Sequence, residues 1–164
     1  AVPTLADRLR GRIPPDAVVV SPDAGRVRMA TEYAHRLGTS VVVLHKQRES
    51  GAETRITHIV GDVRDKACLI IDDMISTGGT IAESIEALLG AGARPELTIA
   101  ATHCLFLEAA RDRLSHEAIR EIFVTDTVSP KGEAWPRLKI VSIAPLIAGA
   151  ISRFVIDGSL SDLY

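Results

Sequence analysis

Two adjacent carboxylates followed by a small, hydroxyl-rich turn are the part of this sequence best suited to chemistry. The stretch LIIDDMISTGGT, residues 69–80, runs from apolar residues into Asp72 and Asp73 and then into a turn with two glycines. A single aspartate at a strand end is commonly just a helix cap. Two in tandem repel one another, so that a ligand or a cation nearby is expected to offset their charge. The pair therefore favours a binding site.

The turn behind the aspartates has the composition of a phosphate-binding loop. It offers hydroxyls and unobstructed backbone N–H groups at the start of a predicted helix, from Ser76, Thr77, Gly78, Gly79 and Thr80. Unpaired amides and the helix dipole favour an anion there, and glycine lets the backbone approach it. The stretch matches neither a dinucleotide fingerprint nor a Walker A loop, because the glycine spacing and a following lysine are missing. A ribose 5-phosphate moiety would satisfy both halves, with its phosphate on the turn and its vicinal hydroxyls on the aspartates.

The elements that must position these residues alternate between strands and helices. Nearly all the strand-like runs are apolar without alternation, which indicates burial on both faces, as in a parallel sheet between layers of helices. We therefore predict an α/β fold: a doubly wound, mostly parallel sheet with helices on both faces, in a single domain over residues 1–164. Ligands of such sheets bind beyond the carboxyl ends of the strands. Strands are predicted at 17–21, 41–45, 68–72, 97–104, 121–125 and 139–143, and helices at 26–37, about 80–89, 108–115 and 145–155.

One long polar segment, residues 46–64, interrupts the alternation of strands and helices. Its sequence, KQRESGAETRITHIVGDVR, is long for a connection within a compact domain. Such segments either carry function and move, or form a solvated excursion with a small hairpin, and length alone does not decide between the two. Few apolar anchors and a central Gly51 predict weak ordering from Gln47 to Thr57.

Composition and charge exclude several classes of function. The 164 residues carry a net charge of −2, which argues against a broad nucleic-acid-binding face. The longest apolar run, residues 141–151, is interrupted and too short to cross a bilayer, so no membrane partner is expected. The N-terminus lacks the features of a signal peptide. Cys68 and Cys104 each lie in an apolar strand-like segment, which predicts free thiols and a reducing cytoplasm.

Several further motifs follow one another in the order found in a single family. The stretch LIIDDMISTGGT resembles the ribose-phosphate signature of type I phosphoribosyltransferase-fold proteins. The additional motifs narrow the resemblance to the C-terminal half of phosphoribosyl pyrophosphate (PRPP) synthetases, also called ribose-phosphate diphosphokinases. They are VVVSPDAG, HK-x-R, HIVGDV, ATHCLF, FVTDTV and the ending SIAPLIAGAISRF with GSLSDLY. The resemblance covers essentially the whole chain.

The resemblance implies a reaction and its partners. Family members transfer a diphosphate from ATP to the 1-hydroxyl of ribose 5-phosphate and so make PRPP, with magnesium (Mg2+) bridging the phosphates. Ribose 5-phosphate, PRPP and ATP are therefore the implied ligands, and Mg2+ the implied cofactor. The family also implies a homo-oligomer built from dimers, often a hexamer.

The same resemblance implies roles for individual residues. Asp72 and Asp73 would hold the ribose hydroxyls, and residues 76–80 the 5-phosphate. Lys46 and Arg48 match the basic pair of the mobile catalytic loop, and Arg48 would also contact ribose 5-phosphate. The diphosphate would lie on Asp23, Ala24 and Gly25, and Asp23 would also be a ligand of Mg2+.

Two departures from the family keep three hypotheses open. The diphosphate turn reads Asp23-Ala24-Gly25-Arg26, and Arg26 stands where a second glycine is normal, so that its long side chain could crowd or contact a phosphate. Family members are also about twice as long, and their N-terminal half supplies most of the ATP site. The chain could be the ribose 5-phosphate-binding half of a PRPP synthetase, a stand-alone phosphoribosyltransferase that consumes PRPP, or a non-catalytic, synthetase-associated regulatory subunit.

Overall fold

The computed structural model of the chain describes residues 1–48, 54–107, 109–129 and 135–161. A short 3-10 turn, Ala24–Arg26, precedes helix α2. In chain order the other elements are α1 (Val2–Leu9), β1 (Val18–Ser21), α2 (Val27–Leu37), β2 (Val41–Arg48), β3 (Thr54–Val60), β4 (Cys68–Ile75), α3 (Gly79–Gly90), β5 (Leu97–Cys104), α4 (Ala110–Arg113), β6 (Ile119–Thr125), β7 (Leu138–Val141) and α5 (Ala144–Val155).

All the strands of the described residues join one sheet in the order β3-β2-β1-β4-β5-β6-β7. Every neighbouring pair is parallel except β2 and β3, which are antiparallel. Strand β1 lies inside the sheet. Strands β2 and β3 follow on one side of it, and strands β4 to β7 follow on the other side. The predicted doubly wound, mostly parallel sheet is confirmed.

Alternate strand residues enter two separate cores, one on each face of the sheet. On one face Val18 and Ile70 pack with apolar residues of α3, which are Ile81, Ile85 and Leu88. On the other face Val19 and Leu69 pack with residues of α1 and α2, which are Leu5, Leu9, Ala30 and Tyr33. Because successive strand side chains point to opposite faces, unbroken apolar strands require helices on both sides. The prediction of two helical layers is confirmed.

The polar segment after β2 contains a hairpin. Sequence patterning ends this strand at residue 45, but β2 continues to Arg48 and pairs with β3 through Lys46–Ile56 and Arg48–Thr54. The hairpin is therefore confirmed for the part of the chain that the structure describes, and a functional role of the segment stays a prediction. Weak ordering was predicted from Gln47 to Thr57, whereas Gln47, Arg48 and the residues from Thr54 onwards form paired strands. Residues 49–53 lie outside the described residues.

Other boundaries also differ from the sequence prediction. Strand β4 runs to Ile75 instead of ending at Asp72, because β5 supplies partners along its whole length, with Met74 beside His103 and Ile75 beside Cys104. Helix α4 is confined to Ala110–Arg113, and strand β7 ends at Val141.

Helix α1 was not predicted at all. Its sequence, VPTLADRL, has a proline in the first turn and buries Leu5, Ala6 and Leu9 along one stripe. Proline is compatible with the first helical turn, and the i, i+4 spacing of the two leucines matches one helix face.

Helix α5 differs from the other long helices because none of its residues is buried. Its apolar stripe of Ile147, Ile151 and Phe154 faces outwards, and Phe154 is 77% exposed. None of the helices in the described residues combines the length and the apolar character that spanning a bilayer requires.

Candidate functional site

The predicted site lies between β1 and β4. The strands that follow β1 in the chain lie on one side of this point, and those from β4 onwards lie on the other. Strand β1 ends at Ser21, whereas its neighbour β4 continues to Ile75. The turn after β1 therefore faces the last residues of β4. In open α/β sheets such a switch point forms the ligand crevice at the carboxyl ends of the strands.

Asp72 and Asp73 lie together in this crevice, and both contact the guanidinium of Arg26. The Arg26 Nε atom donates to Asp72 Oδ1 at 3.0 Å, and Arg26 Nη2 lies 2.7 Å from Asp73 Oδ2. The backbone N–H of Asp73 donates to Asp72 Oδ1 at 2.8 Å. Asp72 is buried, whereas Asp73 and Arg26 are half-buried. The guanidinium of Arg26 therefore bridges two different carboxylates.

Burial and this shared cation separate the two acids. Burial raises the pKa of Asp72 above its ordinary value, against the opposing effect of the hydrogen bond from Arg26. Burial acts in the same direction on Asp73, but the hydrogen bond from Asp72 and the charge of Arg26 outweigh it, so that the pKa of Asp73 is lowered. As the pH falls, a proton therefore binds to Asp72 first.

The turn after β1 is held by Asp23. Its Oδ1 atom accepts hydrogen bonds from the backbone N–H groups of Gly25 at 2.8 Å and Arg26 at 3.1 Å. Ser21 Oγ donates to the Asp23 carbonyl at 2.7 Å. Ala24 and Gly25 are exposed at the edge of the crevice. One oxygen of Asp23 thus serves the turn itself.

The residues described by the structure do not form a complete metal site by themselves. No three His, Cys, Asp or Glu side chains within that part of the chain converge as metal ligands. Mg2+ usually binds one or two carboxylates and completes its shell with water and substrate phosphates. Asp23 could contribute one oxygen to such a shell, whereas Arg26 already bonds both members of the aspartate pair.

The turn after β4 surrounds a small polar pocket. Asp72 and residues 74–81 line a cavity of about 40 Å³. This volume is several times what one water molecule requires. Helix α3 begins at Gly79, so that its first backbone N–H groups, which lack intrahelical acceptors, belong to the turn. The pocket, the hydroxyls and the helix N-terminus together suit a tetrahedral anion.

Gly78 gives this turn its shape. Its φ of +75° is left-handed, and a Cβ atom there would lie 3.2 Å from Leu114 Cγ. Residues of α4 therefore pack directly behind the turn. A side chain at this position would be both strained and crowded.

Arg113 of α4 braces the turn from outside, and the sequence alone does not identify it. Its Nη1 atom donates to the Thr77 carbonyl at 3.1 Å. Arg113 is more than thirty residues from the turn along the chain. No local motif could have revealed the contact, which depends on α4 folding back beside α3.

Lys46 and Arg48 lie on the β2–β3 hairpin. Lys46 Nζ makes an ion pair with Glu83 Oε2 of α3 at 2.9 Å, and its side chain is 15% exposed. The structure therefore places Lys46 against the first half of α3 and records no contact between it and the aspartate pair. Arg48 pairs with Thr54 through its backbone, and its side chain lies outside the described residues.

Solved structures with the same architecture define the class of protein. A phosphoribosylpyrophosphate synthetase from Mycobacterium smegmatis superposes with a TM-score of 0.79 at 38% identity, covering 96% of this chain and 50% of that one. A purine phosphoribosyltransferase from Pyrococcus horikoshii superposes with a TM-score of 0.53 at 25% identity, covering 86% of this chain and 84% of that one. The fold is therefore phosphoribosyltransferase-like.

Within that class, the chain belongs to the family described as the phosphoribosyl synthetase-associated domain, whose model matches residues 50–164. A ribose-phosphate pyrophosphokinase from Corynebacterium efficiens is 42% identical over 168 aligned residues, which cover 100% of this chain and 51% of that protein. The chain thus spans about half the length of the curated relatives that it matches.

Proposed function

We propose that the chain binds ribose 5-phosphate and PRPP in the crevice between β1 and β4. The 5-phosphate would occupy the turn of residues 76–80, and the vicinal hydroxyls would donate to Asp72 and Asp73. The observation that carries this proposal is the polar pocket, because Asp72 lines it together with the hydroxyl and amide groups of that turn. One small ligand with a phosphate at one end and hydroxyls at the other can therefore reach both halves.

The wider activity is that of a ribose-phosphate diphosphokinase. In this proposal residues 1–164 form one phosphoribosyltransferase-type domain, equivalent to the C-terminal half of the longer relatives. The terminal diphosphoryl group of ATP is transferred to the 1-hydroxyl of the bound ribose 5-phosphate, and AMP leaves. Most of the ATP site is supplied from outside these residues. The named relatives, such as that from Corynebacterium efficiens, support this reading.

The remaining site residues would act on the diphosphate. Ala24, Gly25 and the carboxylate of Asp23 would hold it at the turn after β1, while Lys46 and Arg48 would approach it from the hairpin. Mg2+, when bound, would neutralise phosphate charge. Lys46 would have to leave Glu83 to take part. In this proposal it therefore contacts the diphosphate during the reaction and not when ribose 5-phosphate first binds.

Binding of ribose 5-phosphate is the direct test of the site. Gly79→Val should abolish the calorimetric signal with ribose 5-phosphate while the protein stays folded, because a Cβ there meets no protein atom closer than 3.7 Å and its methyl groups would enter the anion pocket. Gly90→Val, at the other end of α3, is the matched control and should bind like the wild type. Unchanged affinity in Gly79→Val would refute the assignment of the phosphate.

Steady-state kinetics test the role of Lys46. In a preparation with diphosphokinase activity, Lys46→Ala should lower kcat roughly a hundredfold, on the order of 3 kcal/mol, because a contact made mainly in the transition state affects the chemical step. KM for ribose 5-phosphate should change little. Asp72→Asn should instead raise that KM. Nearly full turnover by Lys46→Ala would refute the assignment of Lys46 to the chemical step.

A stand-alone phosphoribosyltransferase is the second candidate function. The observation in its favour is the matching size of the Pyrococcus horikoshii enzyme, since the alignment covers 84% of that chain. Release of diphosphate from PRPP in the presence of a purine base would identify this activity. ATP-dependent formation of PRPP would identify the first.

The assembly and location belong to the same proposal. We infer a homo-oligomer because α5 exposes an apolar stripe. The resemblance to PRPP synthetases implies dimers as its building blocks, and often a hexamer. Light scattering of the purified chain measures this directly. Two unpaired, buried cysteines support a reducing cytoplasm.

A further inference from the structure

The crevice contains a positive charge of its own beside the aspartate pair. Arg26 comes from the start of α2, on the opposite side of the crevice from β4, and reaches Asp72 through Nε and Asp73 through Nη2. The contact with Asp72 joins residues 46 positions apart in the chain. The guanidinium is rigid and planar, so that it fixes the two carboxylates relative to one another.

The position of the Arg26 side chain is defined because the turn before it is also fixed. Its backbone N–H donates to Asp23 Oδ1, which ties the start of the side chain to the turn. Its side chain is 34% exposed, so that protein atoms cover most of it. The ion pairs are therefore built into the junction of β1 and α2.

This arrangement treats neutral and charged ligands differently. A divalent cation seated between the carboxylates would lie within a few ångströms of the guanidinium, and like charges at that distance repel one another in a partly solvated site. A hydroxyl carries no charge and can donate to a carboxylate that also accepts from arginine. The site thus discriminates by charge.

We propose that Arg26 reserves the Asp72–Asp73 pair for neutral hydroxyls by excluding divalent cations from it. This inference rests on the proposed binding of ribose 5-phosphate and adds a specificity-determining residue to that site. Arg26 takes the place that a metal ion would otherwise hold, and any metal in the crevice enters with the phosphates of a ligand. Arg26 is then a positioning residue for the aspartates and need not touch the reacting atoms.

Manganese binding by the 164-residue chain tests the exclusion. Mn2+ is the probe, because it broadens the NMR signals of backbone amides close to it. Arg26→Gln should bind Mn2+ beside residues 71–74 at least about tenfold more tightly than the wild type, as expected from removing a neighbouring charge. Adding Asp72→Asn to Arg26→Gln should abolish the new site. Arg28→Gln, an exposed change of the same charge two residues away, is the control and should not create it.

The outcomes separate this inference from the proposed function. Arg26→Lys keeps the charge and should exclude Mn2+ like the wild type. An equally tight site in the wild type, in Arg26→Lys or in Arg28→Gln would overturn the exclusion by Arg26. Failure of the wild type to bind ribose 5-phosphate would instead refute the proposed function, whatever the behaviour of the metal.

A second measurement needs no variant and therefore does not depend on how Arg26→Gln folds. The Nε–H signal of Arg26 in the wild type should stay protected from solvent exchange when Mg2+ is added without phosphates, and also when ribose 5-phosphate saturates the crevice. Loss of that protection on adding Mg2+ alone would show that the metal displaces the guanidinium, and the inference would be wrong.

Discussion

The two glycines of the turn after β4 differ in what a methyl group would meet. At Gly78 the added carbon would be 3.2 Å from Leu114 Cγ, on a backbone with φ of +75°. At Gly79 the nearest atom is Thr77 Oγ1, at the ordinary contact distance of 3.7 Å. The fold therefore requires a glycine at position 78. At position 79 the fold tolerates a side chain, so that a requirement for glycine there would come from a ligand.

This difference gives a prediction at the scale of single residues. Gly78→Ala should lower the free energy of unfolding by about 1–2 kcal/mol, the usual cost of a left-handed conformation for a residue with a Cβ. Gly79→Ala should change it by less than about 0.5 kcal/mol. Urea denaturation followed by circular dichroism measures both. Equal losses in the two variants would contradict the packing of α4 behind Gly78.

The sequence predicts the site residues that belong to one short motif, residues 69–80. It does not predict the residues from other elements that contact them. The sequence places Asp72, Asp73 and the turn 76–80 next to one another because they are consecutive. Arg26 and Arg113 reach them from elements remote in sequence, through β1–β4 pairing and the packing of α4. Sequence patterning left open whether Arg26 would contact a phosphate, and the structure shows it bound to carboxylates.

Among the elements, buried strands were easier to predict than the hairpin. Strands β1, β4 and β5 are covered on both faces, so that their apolar runs identify them. Strands β2 and β3 extend beyond the part of the sheet that is covered on both faces. The polar residues of their hairpin show no hydrophobic periodicity. Their pairing is maintained by backbone hydrogen bonds and by contacts such as that of Lys46 with Glu83.

The hairpin and α3 are therefore expected to be energetically coupled. A double-mutant cycle with Lys46→Met and Glu83→Gln should give a coupling free energy of about 0.5–1 kcal/mol, because one partner is well covered and the other is more exposed. The pair Lys66–Asp62, which is more exposed, is the control and should give less. A coupling near zero for Lys46 and Glu83 would mean that the hairpin is not held against α3 in solution.

For the whole molecule, the exposed face of α5 is the main departure from a closed surface. Ile147, Ile151 and Phe154 follow one another at i, i+4 and i+7, the spacing of a single helix face, and they are joined by exposed Val155 and Ile156. Contiguous apolar surface of this kind is unusual in isolated domains.

Dye binding should report this surface. The variant Ile151→Gln, Phe154→Gln should bind an apolar-surface dye such as anilinonaphthalene sulfonate several-fold less than the wild type. Its free energy of unfolding should change by about 0.5 kcal/mol or less, because no α5 residue is buried. Val60→Thr, on β3, is the control for an exposed apolar residue elsewhere and should leave dye binding unchanged. Equal dye binding by the double variant and the wild type would contradict the exposure of this face.

Helix α1 has a consequence for the order in which the chain can fold. Its Leu5 and Leu9 are buried beside Phe123 of β6, and the helix also contacts β7. A ribosome makes these leucines more than a hundred residues before β6 and β7, two of the strands that cover them. During synthesis α1 can pack against α2 early, but its apolar stripe stays partly uncovered until β6 and β7 have emerged. Helix α1 therefore completes its contacts only after most of the strands have been made.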